Sequence, residues 1–215
     1  MSISNNPKRN GLEAHVLTNL TTRRERGPFD GQFLIAMPQL EDDNFQRSVV
    51  YICAHSPEGT MGFVLNRVLD VSFSEVLAQV KLMDGDQAKG LPRHIADFKV
   101  QFGGPVERGR GFVLHSDDYA CETSIPVSDD LCLTATLDVL RGIAEGRGPE
   151  RAALYLGYAS WGAGQLEAEI ANNDWLTCPA TDSIIFDDDL DSKYERALLT
   201  MGVEPSLLSS KIGHA

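Results

Sequence analysis

The 215-residue sequence predicts an α+β domain, a mixed β-sheet with helices packed on its outside. Three observations point there. Strand-like apolar runs are interleaved with segments of helical periodicity. A strong hairpin signal sits among them, which favours a mixed sheet over a doubly wound parallel one. Two strand-like runs end in glycine-rich corners, Phe102-Gly-Gly-Pro-Val106 and Gly157-Tyr-Ala-Ser-Trp-Gly-Ala-Gly-Gln-Leu166, where the missing Cβ lets a backbone or ligand come close.

Taken in order, residues 1–29 read as a flexible basic extension, with a weak helical pattern over Gly11 to Leu20 and a basic linker from Thr21 to Pro28. Residues 30–215 read as one domain. Gln32 to Met37 is an apolar strand stopped by Pro38. Ser48 to His55 and Met61 to Arg67 are strands joined by the turn residues Pro57-Glu-Gly-Thr60. Ser72 to Val80 is a helix with Phe73, Val76, Leu77 and Val80 on one face and a Ser72/Glu75 capping box. Residues 84–94 read as a polar loop.

Phe98 to Phe102, Gly111 to His115 and Leu131 to Thr134 follow as strands. A helix from about Ala135 to Glu145 is broken by Gly146-Arg-Gly-Pro149. Ala152 to Ser160 is a strand, Gln165 to Asn172 a helix and Trp175 to Cys178 a short strand. Ile184 to Phe186 is a short apolar segment, and Ser192 to Met201 is a closing amphipathic helix.

Hydrophobic residues make up 42% of the chain, enough to bury roughly 70% of the unfolded surface. No apolar run is long enough to span a bilayer and the N-terminus lacks a signal-peptide core, so a cytoplasmic protein is expected. Cys53, Cys132 and Cys178 lie in apolar runs and read as buried thiols, whereas Cys121 lies in a polar stretch as the best candidate for a modifiable one. The net charge is −12. Residues 1–29 carry five basic and two acidic side chains, a balance of +3, which leaves −15 on the remainder. A body this acidic repels phosphate backbones, so direct nucleic-acid binding would need the basic tail.

The chemical motifs are sparse. Ser160 lacks the glycine that a nucleophile elbow needs two residues upstream, because Tyr158 stands there. His115-Ser116-Asp117 is contiguous, and strand neighbours point to opposite faces. Asp187, Asp189 and Asp191 fail the EF-hand pattern, with Ser192 and Leu198 where glycine and glutamate belong. These acids read as the start of a helix, and no metal or cofactor is expected. Gly162-Ala-Gly164 ahead of Gln165 could offer free N–H groups to an anion, but Glu167 and Glu169 soon after oppose one, and the favoured reading is that the glycines let Trp161 and the helix pack closely.

The ordered set Phe33-Leu-Ile-Ala-Met-Pro38, Gly62-Phe-Val-Leu-Asn-Arg67, Phe102-Gly-Gly-Pro-Val106, Arg110-Gly-Phe-Val-Leu-His115, the Gly157–Leu166 segment, Glu169-Ile170 and Asn173-Asp-Trp-Leu176 resembles the YqgE/AlgH family of bacterial proteins. The resemblance covers about residues 30–212. It implies a compact domain with a strongly bent, barrel-like mixed sheet in a cytosolic protein. Some relatives carry a transcriptional-regulator label, but no helix-turn-helix signal accompanies it here and the family supplies no catalytic residues.

The reading is a non-enzymatic binding or regulatory domain with a protein or small-ligand partner. Its expected surface gathers Asn66 and Arg67, the corner Gly103, Gly104 and Pro105, and the segment Tyr158, Ser160, Trp161, Gly162 and Gly164. The competing reading is a small-molecule enzyme with a pocket near the glycine corners, which would need His55, His115 or Glu107 to converge on a cavity.

Overall fold

The computed structural model describes residues 26–119 and 121–208. Most of the basic extension, including the segment Gly11 to Leu20, lies outside the described residues. Ten strands build one strongly curled sheet that forms a half-barrel. They are β1 (Gln32–Ala36), β2 (Val49–Ser56), β3 (Gly59–Val64), β4 (Val68–Ser72), β5 (Lys99–Phe102), β6 (Val106–Ser116), β7 (Ile125–Pro126), β8 (Leu131–Thr134), β9 (Ala152–Gly162) and β10 (Trp175–Pro179). The main path runs β10-β1-β2-β3-β9-β6-β8-β7, with β5 joined to both β4 and β9. Only the β5–β9 pairing is parallel, so the sheet is mixed.

The expected hairpin is β2–β3, antiparallel, with Ser56 opposite Gly59 across the Pro57-Glu58 turn. Its residues are buried on both faces because the curled sheet is covered on both sides. On β6, Phe112 and Leu114 belong to one core and Val113 to another. The inner core holds Phe33, Tyr51, Phe63, Phe112 and Tyr155. The second core lies beneath helices α1 (Phe73–Gln79) and α4 (Leu137–Ala144). The third packs Leu34, Val50, Trp161, Leu166 and Trp175 beneath α5 (Gln165–Ala171).

Local chemistry accounts for the helix ends. Ser72 accepts from the Glu75 amide while the Glu75 carboxylate accepts from the Ser72 amide, the capping box read from the sequence. The segment 84–94 departs from its reading as a loop. It holds two short helices, α2 (Gly85–Lys89) and α3 (Arg93–Ala96). Asp84 starts the first: its carboxylate accepts from the Asp86 and Gln87 amides, and Gln87 reaches back to the Asp84 amide. Ile184 lies in helix α6 (Asp182–Ile185), and the chain closes with α7 (Lys193–Thr200) and a 3-10 turn at Pro205–Leu207. The exposed edge strand β4 and the two-residue β7 have no counterpart in the sequence reading.

The end of the extension belongs to the folded body. Phe29 sets its ring edge-on against His55 at 4.9 Å, and Arg26 pairs with Asp129 at 2.5 Å. Among the described residues no helix is long and apolar enough to cross a membrane.

Candidate functional site

Strand β9 is the hub. Its first half pairs with β5 and β6, its second half with β3. Along it Ala153 and Tyr155 face the inner core, as expected of alternation, but the next inner residue is Tyr158. The phase slips by one at Gly157, which has φ +74°, a bulge that re-aims the rest of the strand. The first glycine corner meets the second at this slip. The Gly103 amide donates to the Leu156 carbonyl at 2.9 Å, and the Gly103 carbonyl accepts from Val64 at 2.8 Å. A Cβ on Gly103 would stand 2.2 Å from the Gly157 oxygen, and one on Gly104 2.2 Å from the Tyr158 carbonyl carbon. Three backbones therefore pass within contact distance.

Asn66 and Arg67 stand beside this crossing. The Arg67 carbonyl accepts from the Phe102 amide at 2.9 Å. The Arg67 guanidinium donates to the carbonyls of Asp43 (2.7 Å) and Gln46 (2.9 Å). Its pKa is lowered by burial, against the upward pull of Asp42 and Asp43. Asn66 accepts from the Val49 amide and donates to the Arg47 carbonyl, at 3.0 and 2.9 Å. Both side chains hold the 39–47 loop onto the sheet. Pro105, half-buried, leads from the crossing into β6, and Tyr158 packs edge-on against Phe112 at 5.7 Å.

The remaining expected residues run away from the crossing. Ser160 lies opposite Met61 and Gly162 opposite Gly59, at the far end of the β3–β9 ladder from Asn66. Gly164, at φ +70°, is exposed ahead of α5. The Gly162 amide donates to the Gln165 side chain at 3.0 Å, so this N–H is not free for an anion. Glu169 is the focus here: its carboxylate accepts from the Trp161 and Trp175 indoles at 2.8 and 2.9 Å and from Gln165 at 2.8 Å.

The groups proposed for an enzyme have three separate sets of partners. His55 is buried between Thr60 Oγ1 (2.7 Å) and Glu167 (3.4 Å). His115 is buried between the Ser116 carbonyl and Thr134 Oγ1, both at 2.8 Å, and burial lowers its pKa. Glu107 pairs with Arg110 at 3.0 Å. Asp187 pairs with Arg196 and accepts from the Asp189 amide ahead of α7, the helix-start role expected for that acidic run. No group of three potential metal ligands occurs among the described residues. Of the cysteines expected to be buried, Cys53 and Cys178 are, whereas Cys132 is partly exposed, because it lies on the flank of β8 beside a short edge strand.

A wide, largely apolar opening has no counterpart in the sequence reading. Helices α1 and α4 stand apart over the sheet and leave a groove of about 470 Å3. Val76 and Val80 form one wall, Leu137 and Leu140 the other, and Val113, Leu154 and Leu156 the floor, with Arg108, Arg110, Thr134 and Thr136 also lining it. Leu137 is 43% exposed. The floor depends on the crossing, since Leu156 is the residue that Gly103 bonds.

Residues 33–206 match the family model described as AlgH-like. A UPF0301 protein of Rhizobium etli (strain CIAT 652) is 61% identical over 199 residues, covering 93% of this chain and 99% of the relative. One from Agrobacterium fabrum is 60% identical over 198 residues, covering 92% and 98%. The solution structure of the AlgH protein from Pseudomonas aeruginosa superposes with a TM-score of 0.71 at 39% identity, covering 89% of this chain and all of that one. A crystal structure from Corynebacterium diphtheriae, 24% identical with a TM-score of 0.59 over 83% of this chain and 92% of its own, shares the fold. With the crossing, the half-barrel and the full-length matches in agreement, this chain belongs to the AlgH-like family.

Proposed function

We propose that this protein is a non-enzymatic binding domain acting in the cytoplasm, with a regulatory role exerted through a bound partner and not through DNA. The observation that carries this reading is the groove between α1 and α4, where aliphatic side chains from two helices and three strands line an open cavity together with Arg108 and Arg110. Aliphatic surface left open in a folded domain marks an interaction site. The polar groups of the expected surface around Asn66 and Arg67 are spent on holding the frame, so that surface supports the groove floor. A groove of this kind suits an apolar ridge of a protein partner or a small apolar ligand. The acidic body agrees with regulation that makes no phosphate contact.

The test is a photo-crosslinking residue at position 137 in the native cells, with the same residue at Val68, 61% exposed and outside the groove, as control. A discrete adduct at 137 alone is expected, and its mass separates a protein partner from a small ligand. Equal labelling at both positions would remove the groove as the binding surface.

A further inference from the structure

We propose that Cys121 and Cys132 form a reversible thiol–disulfide site that takes a hydroperoxide as its oxidant. Both are free thiols and both are partly exposed, while Cys53 and Cys178 are buried.

The sheet register brings the parts together. Cys132 lies opposite His115, and Thr134 opposite Val113, so His115, Cys132 and Thr134 share one face. The β7–β8 pairing continues past Ile125 opposite Leu133, and Ser124 Oγ meets Thr134 Oγ1 at 2.8 Å. The turn that follows β6 returns over this face and sets Cys121 Sγ 3.1 Å from Ser124 Oγ, 3.5 Å from Thr123 Oγ1 and 3.8 Å from Thr134 Oγ1. Cys132 and Thr134, two residues apart on β8, are separated by about 7 Å. Burial first, then the neighbouring charges of Asp117 and Cys121, push the Cys132 thiol up. A bridge requires the two Cα atoms to lie within the roughly 4–7 Å that a disulfide spans.

The hydrogen bonds have one consistent direction. His115 Nδ1 faces a carbonyl, which only accepts, so Nδ1 carries the proton and Nε2 is bare. Nε2 accepts from the Thr134 hydroxyl, which leaves Thr134 to accept from Ser124 and Ser124 to accept from the Cys121 thiol. When Cys121 ionises, its proton leaves to solvent and the Ser124 and Thr123 hydroxyls turn to donate to the thiolate, while His115, held neutral by burial, keeps its bond from Thr134. Burial pushes the Cys121 thiol up, but the bonds from Ser124, Thr123 and Thr134 outweigh it and hold the pKa below the ordinary thiol value.

The chemistry balances in two steps. The thiolate attacks the peroxide: an S–O bond forms, the O–O bond breaks, sulfur loses two electrons, and the leaving oxygen takes a proton from solvent to give water or an alcohol. Cys132 then attacks the sulfenic sulfur. The S–S bond forms, the S–O bond breaks, and the leaving hydroxide departs as water with the Cys132 proton.

The experiment uses the reduced full chain and hydrogen peroxide, read by intact mass and peptide mapping. The expected product lacks the two thiol hydrogens, carries a Cys121–Cys132 bridge and reverts with dithiothreitol. Cys132→Ser should leave a Cys121 sulfenic acid that dimedone captures. Thr134→Val should slow Cys121 oxidation about tenfold, the equivalent of roughly 1.4 kcal/mol, and Thr134→Ser should restore it, which a purely packing role would not do. A bridge between the Cys121 residues of two chains, oxidation of Cys121 no faster than that of Cys53, or over-oxidation of Cys121 with Cys132 untouched would each overturn the proposal.

Discussion

The β3–β5–β9 crossing and the α1–α4 groove lie on the same strand, β9, and solve opposite problems. At the crossing three backbones are packed with no room for a methyl group, and the neighbouring Asn66 and Arg67 have their side-chain hydrogen bonds satisfied internally. At the groove, one residue upstream of the Gly157 slip, Leu154 and Leu156 look onto open space between two helices. The difference separates frame from surface. The glycine corners sit where the backbone admits no added methyl group, and the surface available to a partner combines aliphatic side chains with Arg108 and Arg110.

The sharpest break of this contrast is Gly104→Ala. Its new methyl carbon would stand 2.2 Å from the Tyr158 carbonyl carbon and 2.3 Å from the Ala159 amide nitrogen, against backbone and not against a flexible side chain. The loss should exceed about 4 kcal/mol, a large share of the roughly 5–15 kcal/mol that holds an ordinary domain folded. Chemical denaturation, or simply the absence of folded protein, reads it. A folded Gly104→Ala protein with an unchanged midpoint would mean that the crossing is loosely held.

Glu169→Ala tests the same half by a different route. It removes the acceptor of two buried indole N–H groups. Each orphaned donor costs about 1–3 kcal/mol, so a total near 3 kcal/mol and a Tm lower by about 10 °C are expected. Indole N–H resonances in an NMR spectrum would report whether both bonds are lost. Trp161→Phe, which removes one donor along with its need, should cost less than Glu169→Ala.

What was legible in the sequence follows the same division. The β2–β3 hairpin and the Ser72/Glu75 capping box are local, set by residues a few positions apart, and stand where expected. The glycine corners announced a close approach, but only the fold shows that each is the other's neighbour. The α2 helix escaped because it is polar throughout and periodicity is silent there, although Asp84 and Gln87 form a readable capping box. Strand β4 escaped because it is short and mostly exposed. The groove could not be read at all, since α1 and α4 are about sixty residues apart in sequence and nothing in the character of Leu137 says that it stays half-uncovered. Cys121 was singled out as the exposed thiol, yet its Ser124–Thr134–His115 surroundings depend on strand register.

The frame also holds a buried charge. Lys193, at the start of α7, is fully buried, donates to the Ile185 carbonyl at 2.8 Å, and has its pKa pushed down to about 8 by burial, against the pull of Asp187 and Asp188. In the unfolded chain the amine titrates near 10.4. The unfolded state therefore binds more protons between pH 8 and 10.4, and this group adds stability as pH rises through that window. The cost of keeping the amine charged is present below pH 8. The gain amounts to at most about 3 kcal/mol. Denaturation midpoints at pH 7.5 and 10 should differ between the parent and Lys193→Met by this increment, with the parent gaining. Equal pH responses would show that Lys193 keeps its ordinary pKa.

The smallest effect on stability belongs to the groove, and there the contrast is most exposed to failure. Leu137 sits in the first turn of α4 and is already 43% in solvent. Leu137→Glu removes little buried area and places a carboxylate at a helix N-terminus, where the dipole favours it by about 0.3–1 kcal/mol. Stability should change by no more than about 0.5 kcal/mol, while a charge on the lip of an apolar cavity should abolish capture of whatever the groove holds. If Leu137→Glu costs as much as Glu169→Ala, the groove wall is part of the frame and the division between the two regions fails. If stability is untouched and crosslinking from a second groove position, Leu140, persists, the partner binds elsewhere.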